Sequence, residues 1–263
     1  MMLSRPEGAE RLTPTAAAIK LVRQYLEFLI VAFVVWQVVT WLFRIPGYLL
    51  PAPVEVLRAL GSHGGAVASA TLFTISCTLL GMAVSVVVAA LLAILFLRSE
   101  IVARAVMPAL ILVRTVPVIA IAPLTILVFG RGRWNSIGIV ALLTFFQIML
   151  AAYRGFRSPS KNSLELMHVY GSSFLQTLVK VRLPFALPYL FTGVRIASGS
   201  AALCAMFAEW LSGAPGLGKL LFDSYSTQAF PLMWATVLVG TTTAYLLLTL
   251  TTAIECAVLG WGE

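Results

Sequence analysis

Titratable side chains are sparse: 18 Lys and Arg, 10 Asp and Glu and 2 His in 263 residues. Bond-making chemistry needs such groups clustered, and here they are scattered. No nucleophile stands beside a base, no histidines cluster, and no glycine-rich loop ends in a phosphate-cradling lysine. Cys77, Cys204 and Cys256 lie far apart in or beside apolar stretches. That spacing suits neither a metal site nor a disulfide framework, and they read as small packing residues. His63 is expected in a solvated loop. Polar density gathers instead between residues 154 and 184, with Arg154, Arg157, Lys161, Glu165, His168, Lys180 and Arg182. The chemistry of that stretch is contact with a partner rather than catalysis.

Its local structure follows from residue types. Asn162 or Ser163 can cap a short helix, with Glu165 in the first turn, where the helix dipole favours an acid. Glu165 and His168 fall one turn apart on one face. Leu164, Met167 and Val169 add apolar contacts, and Gly171 breaks the helix. Ser173 to Gln176 reads as a capping box that restarts it. Leu183, Pro184 and Pro188 then lead into an apolar run, the prolines limiting how the helix continues. A helix, a glycine bend and a second helix feeding a membrane span can transmit a push. The same pattern also suits a helix lying on lipid headgroups.

The elements that position this segment are membrane helices. Hydrophobic residues make up 60% of the chain and charged residues 11%, against roughly a quarter charged in a soluble domain. Six spans are predicted: Tyr25 to Phe43, Thr71 to Leu97, Val106 to Phe129, Ser136 to Tyr153, Phe185 to Trp210 and Trp234 to Val258. Pro117 and Pro123 interrupt the third, which is either one bent helix or a helix plus a re-entrant piece. Residues 1–24 form a polar segment ahead of residues 25–263. The first span ends in Trp41-Leu42-Phe43-Arg44 without a small-x-small cleavage pattern, so it reads as a retained helix. Trp41, Trp134, Trp210, Trp234 and Trp261 sit near span ends, as in an interfacial belt.

Lys and Arg set the orientation. With both termini cytoplasmic, Arg5, Arg11, Lys20, Arg23, Arg98, Arg104, Arg154, Arg157, Lys161, Lys180 and Arg182 lie inside. Only Arg44, Arg58, Arg131, Arg133 and Lys219 lie outside. The net charge of +8 is met by the anionic inner leaflet of the bilayer and calls for no nucleic acid. Arg114 and Arg195 fall within spans. They are candidates for anion binding, or they snorkel or pair with a carboxylate. Glu209, near the outer end of the fifth span, is placed to pair with Lys219 or Arg131 or to line an outer gate. Gly193, Ser198, Gly199, Ser200, Ala201 and Ala202 form a row of small residues that permits close helix approach. That row lines a pathway between two copies or packs within one.

The run Glu165-Leu166-Met167, three residues, Gly171, nine residues, then Val181-Arg182-Leu183-Pro184 resembles the cytoplasmic EAA-type coupling loop of bacterial ABC importer permeases. Pro184 to Gly218, with its second proline Pro188, Gly193-x-Arg195, and Glu209 before Gly216-Leu217-Gly218, is similar to the fifth-span region of permeases for nitrate, sulfonates and taurine. Tyr48 to Pro53, and Pro117-x-x-Ala120-x-x-Pro123-Leu124 followed by Phe129-Gly130, resemble further segments of that group. The likeness covers nearly the whole chain beyond about residue 45.

The resemblance implies an all-α membrane protein with six transmembrane helices in a type I ABC importer permease-like bundle. It implies a multi-pass protein of the bacterial cytoplasmic (inner) membrane. Two copies would form the pathway, facing two cytoplasmic ABC ATPase subunits, with an extracytoplasmic substrate-binding protein outside. ATP and Mg would sit on the ATPase, and this chain would bind no cofactor or metal and do no bond chemistry. Glu165, Leu166, Met167, His168, Gly171, Leu183 and Pro184 are then the ATPase-coupling candidates. Ser198, Ser200, Glu209, Arg195 and Arg114 are the pathway candidates. Substrates in the group are small anions or zwitterions such as nitrate, sulfonates and taurine, or vitamin precursors such as riboflavin and pyrimidines. Leu166 and Met167 depart from the usual alanines and ask for a roomier groove on the partner. Arg131-Gly132-Arg133-Trp134 is more basic than the pattern. A secondary transporter is the alternative, but it calls for paired mid-membrane carboxylates that the sequence lacks. A membrane enzyme calls for a polar cluster that is also missing.

Overall fold

The computed structural model describes the backbone of residues 14–115 and 117–259, with side chains described for 22–112, 117 and 120–259. Among these residues the regular structure is helical: α1 (Pro14–Leu42), α2 (Pro53–Ser62), α3 (Gly64–Arg98), α4 (Glu100–Thr115), α5 (Val118–Phe129), α6 (Arg133–Phe156), α7 (Lys161–Val169), α8 (Phe174–Thr177), a π-helical turn (Leu178–Arg182), α9 (Leu183–Ser212), α10 (Leu217–Ser226) and α11 (Phe230–Leu259). Helices suit this setting because each satisfies its own backbone hydrogen bonds in lipid. Five stretches are long and apolar enough to cross a membrane unbroken: Val22–Leu42, Gly64–Arg98, Arg133–Phe156, Phe174–Ser212 and Phe230–Leu259.

Side-chain contacts give the direction of each crossing. Arg133, at the start of α6, lies over the Phe73 ring near the start of α3. Tyr153, near the end of α6, meets Phe96 near the end of α3. The two helices therefore run the same way, and the chain must recross the bundle between Arg98 and Arg133. Only α4 and α5 lie there, so together they make the third crossing. α9 runs against α6, with Ala186 beside Gly155 and Ala208 packed with Ile139. α11 runs against α9, with Gly240 at Met206 and Glu255 at Arg195. α1 runs against α11, with Trp36 at Trp234 and Tyr25 stacked on Tyr245. Six crossings result. Pro14 and Leu259 end on the same side of the bundle, the side that carries Arg98, Phe156 and α7.

One open alternative is resolved and two expectations are corrected. The third span is not a continuous helix: it breaks between Thr115 and Val118, where Pro117 cannot continue α4, while Pro123 is accommodated inside α5. The second span starts at Gly64 rather than Thr71. Two ten-residue helices, α2 and α10, replace what read as loops at the far end, opposite α7. Leu217, Leu220, Leu221 and Ser224 on α10 follow the spacing of a buried helix face, a signal overlooked beside the neighbouring glycines. Trp41, Trp134, Trp210 and Trp234 all lie toward this far end. Trp41 and Trp134 are exposed, while Trp234 packs on Trp36. Trp261 lies outside the described residues.

α6 is the central helix, packed between α3 and α9 through small side chains. A Cβ on Gly155 would lie 2.7 Å from Tyr189 Cβ and 2.9 Å from Ala186 Cα, and one on Gly193 would lie 2.7 Å from Ala151 Cβ. Backbones this close cannot admit bulk without separating. Gly155→Leu is expected to cost about 3 kcal/mol and to lower the thermal midpoint of the purified protein. Gly199→Leu, at a position with nothing within 4 Å of a new Cβ, should leave the midpoint in place. Equal midpoints for the two variants would contradict the close α6–α9 crossing.

Candidate functional site

The segment between α6 and α9 forms a bent two-helix projection. Ser160, rather than Asn162 or Ser163, caps α7, its Oγ accepting from Ser163 N at 3.2 Å. The helix thus starts at Lys161, and Glu165 lies beyond the first turn. At the other end Gly171 adopts φ +63°, the left-handed region that glycine enters most readily. Its N–H donates to His168 O at 2.9 Å, and Ser172 N donates to Met167 O at 3.0 Å. The capping box is present: Ser173 N donates to Gln176 Oε1 at 2.8 Å, and Gln176 N donates to Ser173 Oγ at 3.3 Å.

α8 does not stop before the membrane. A π-helical turn joins it to α9, with Leu183 N bonded to Leu178 O. Pro184 has no N–H to donate, and the wide turn absorbs that gap just before the proline. Phe174–Ser212 is thereby one continuous helical stretch of 39 residues, about 58 Å long at 1.5 Å per residue.

Three contacts fasten the base of the projection to the bundle. Arg182 Nη1 donates to Phe156 O at 2.9 Å. The Arg98 guanidinium stands 5.3 Å from the centre of the Phe174 ring. Leu178 is buried in the cluster that includes Phe96, Phe156 and Ala186. The outer surface has no such cover. Glu165 and His168 are exposed, Leu166 is 55% exposed, Val169 82% and Tyr170 76%, while Met167 is half-buried. Leu183 and Pro184 are exposed at the start of α9. The seven coupling candidates are therefore on one continuous segment, most of them open to a partner. Tyr170 joins them on geometry; nothing but its aromatic type marks it in the sequence.

The pathway candidates are not brought together. Arg195 Nη1 pairs with Glu255 Oε2 at 2.9 Å, so its charge is compensated. Ser198 is buried and donates to Arg195 O, and Ser200 is half-buried and donates to Ala197 O. In the small-residue row, Gly193, Ser198, Ala201 and Ala202 pack inside this chain, and Gly199 alone is exposed. The Arg114 side chain lies outside the described residues.

Glu209 pairs with neither Lys219 nor Arg131. Lys219 pairs with Asp223, one turn along α10. Glu209 is fully buried, and its Oε2 accepts from Thr74 Oγ1 at 2.9 Å and from Gly218 N at 3.0 Å. Thr74 Oγ1 in turn accepts from Leu217 N at 3.0 Å.

Comparison with known proteins agrees with this architecture. The profile of the binding-protein-dependent transport system inner membrane component family matches residues 85–258. The formylaminopyrimidine transport permease protein of Halalkalibacterium halodurans is 34% identical over 192 residues, 73% of this chain and 76% of the relative. The riboflavin transport system permease protein of Chloroflexus aurantiacus is 32% identical over 226 residues, 83% and 84% of the two chains. A putative aliphatic sulfonates transport permease protein of Bacillus subtilis is 29% identical over 199 residues, 74% and 71%.

Proposed function

Because this chain belongs to the family of binding-protein-dependent transport system inner membrane components, we propose that it is the membrane subunit of an ATP-driven importer, coupled to a separate ATPase through α7 and α8. The observation that carries this reading is the projection itself. Its exposed Leu166, Val169 and Tyr170 continue mechanically into a helix that crosses the bundle. In this reading the projection is cytoplasmic, both chain ends share its side, and the charge bias supports that placement.

Two copies face each other across the pathway, and two ATPase subunits seat the two projections. ATP and Mg bind to those subunits, and this chain makes and breaks no bonds. Closure of the ATPase pair draws the projections together and tilts α9, opening the far side to a loaded binding protein. Hydrolysis resets the arrangement. The continuity of α8 with α9 supports tilting as a unit.

Relatives above 30% identity include permeases named for nitrogen heterocycles and, over a shorter match, one named for aliphatic sulfonates. The Arg195–Glu255 pair offers no net charge to an inorganic anion. The reading extends to a small anion or zwitterion such as nitrate, a sulfonate or taurine, or to a heterocycle of the vitamin-precursor type. A secondary transporter finds less support: Glu255 is paired with Arg195, and Glu209 is held by the Gly218 amide and the Thr74 hydroxyl at the far end of α9 rather than at mid-membrane.

A cysteine in place of Leu166, in a background lacking the native three, should crosslink to the cognate ATPase subunit. Ser226→Cys on α10 should not. Crosslinking from Ser226→Cys alone would reverse the orientation, and crosslinking from neither would refute the coupling role.

A further inference from the structure

Glu209 is buried at the far end of α9 with no Lys or Arg paired to it among the described residues. Burying a carboxylate without a cation is costly unless hydrogen bonds replace its water. Here the replacements fall on one oxygen, Oε2, which accepts from the Gly218 amide of α10 and from the Thr74 hydroxyl, while Oε1 is buried without a hydrogen-bond partner. Gly218 N donates to Glu209 Oε2 directly. Leu217 N reaches the same group through Thr74 Oγ1. These are the N–H groups that a helix leaves unpaired at its N-terminus, where its dipole also favours negative charge. The residue at α10's own cap position, Gly216, has no side chain to offer.

The fit excludes alternatives. A Cβ on Gly216 would stand 2.2 Å from the Glu209 carboxylate carbon, and one on Gly218 would stand 1.7 Å from Met206 O. Apolar packing also holds α10, through Leu217, Leu220 and Leu221 against Met206, Val67 and Leu232. Such packing is non-directional and tolerates sliding. The hydrogen bonds fix the register of α10 on α9 and α3. The other side of α10 is open, with Phe222 43% and Tyr225 59% exposed.

We propose that Glu209 is a positioning residue that locks α10 to α9, so that a load placed on α10 by the extracytoplasmic partner travels along α9 to α8. This rests on the importer reading above. α10 is the input, the Glu209–Thr74 hydrogen bonds are the joint, and the continuous helix from Phe174 to Ser212 is the shaft.

The test uses the full chain in lipid nanodiscs, with spin labels at Ser226→Cys on α10 and Ser69→Cys on α3 in a background lacking the native cysteines. Glu209→Ala should broaden the distance distribution about twofold. Glu209→Gln keeps an oxygen acceptor and should restore the narrow distribution. The same variants are then assembled with the cognate ATPase and binding protein. Glu209→Ala should leave affinity for the binding protein within about twofold. Its maximal stimulation of ATP hydrolysis should fall about tenfold, equivalent to about 1.4 kcal/mol. A merely structural defect would lower the two together. A narrow distribution in Glu209→Ala overturns the joint. A broad one with undiminished stimulation overturns the transmission of load. Absence of stimulation in the unmutated complex defeats the importer reading itself, while the spin-label distances still decide whether Glu209 holds α10.

Discussion

Gly171→Pro should insert and fold normally yet lose more than about nine-tenths of coupled transport. Gly171 sits at φ +63° between α7 and α8, whereas a proline ring holds φ near about −65°. The substitution also removes the N–H that bonds His168 O at 2.9 Å. Nothing lies within 4 Å of a Cβ at this position, so the effect is confined to the bend angle and does not reach the core. Re-aiming α7 moves Glu165, Leu166 and His168 away from any partner surface shaped to receive them. Gly171→Asn tests the argument from the other side, since asparagine enters the left-handed region at low cost. It should retain at least about half of transport. The measurement is binding-protein-stimulated ATP hydrolysis with uptake in proteoliposomes, normalised to inserted protein. Normal coupling in Gly171→Pro would remove the bend from the mechanism.

Gly218→Ala should produce the largest loss of stability at the far end. Its new methyl would stand 1.7 Å from Met206 O and 2.5 Å from Met206 C, and main-chain atoms inside a helix cannot swing aside. The start of α10 must lift, separating Gly218 N from Glu209 and Leu217 N from Thr74. Losing hydrogen bonds to a buried charge, with the carboxylate left unsatisfied, costs about 3 kcal/mol or more. The thermal midpoint should fall by about 10 °C. Gly213→Ala is the control. That residue has positive φ, +71°, and open space around it, so only backbone strain of about 1 kcal/mol applies. Similar midpoints for the two variants would contradict the packing of the Gly216–Gly218 turn against α9.

How far the sequence discloses this molecule differs from region to region. Span number is legible because long uncharged runs are a one-dimensional signal. The bend at Gly171 and the capping box at Ser173 are legible because their causes lie within four residues. The cap at Ser160 is misjudged as Asn162 or Ser163 because several neighbouring residues can all serve as caps. Glu209 is visible as an acid near Gly-Leu-Gly, but its partners are not. Thr74 lies 135 residues away and the other donor is the Gly218 backbone amide, which leaves no mark in residue type. The same holds for Arg195, whose partner Glu255 is on a different helix. The split of the small-residue row between inner packing and an exposed Gly199 depends on the rotation of α9, which composition does not encode.

The central claim is that ATP on the side of α7 drives import. Proteoliposomes are prepared with this chain, its cognate ATPase, and ATP confined to that side. The binding protein is added to the other side, saturated in turn with riboflavin, formylaminopyrimidine, taurine or nitrate. Accumulation of at least one of these should require ATP and persist when proton and sodium gradients are collapsed. Accumulation that ignores ATP and follows an ion gradient would contradict the account.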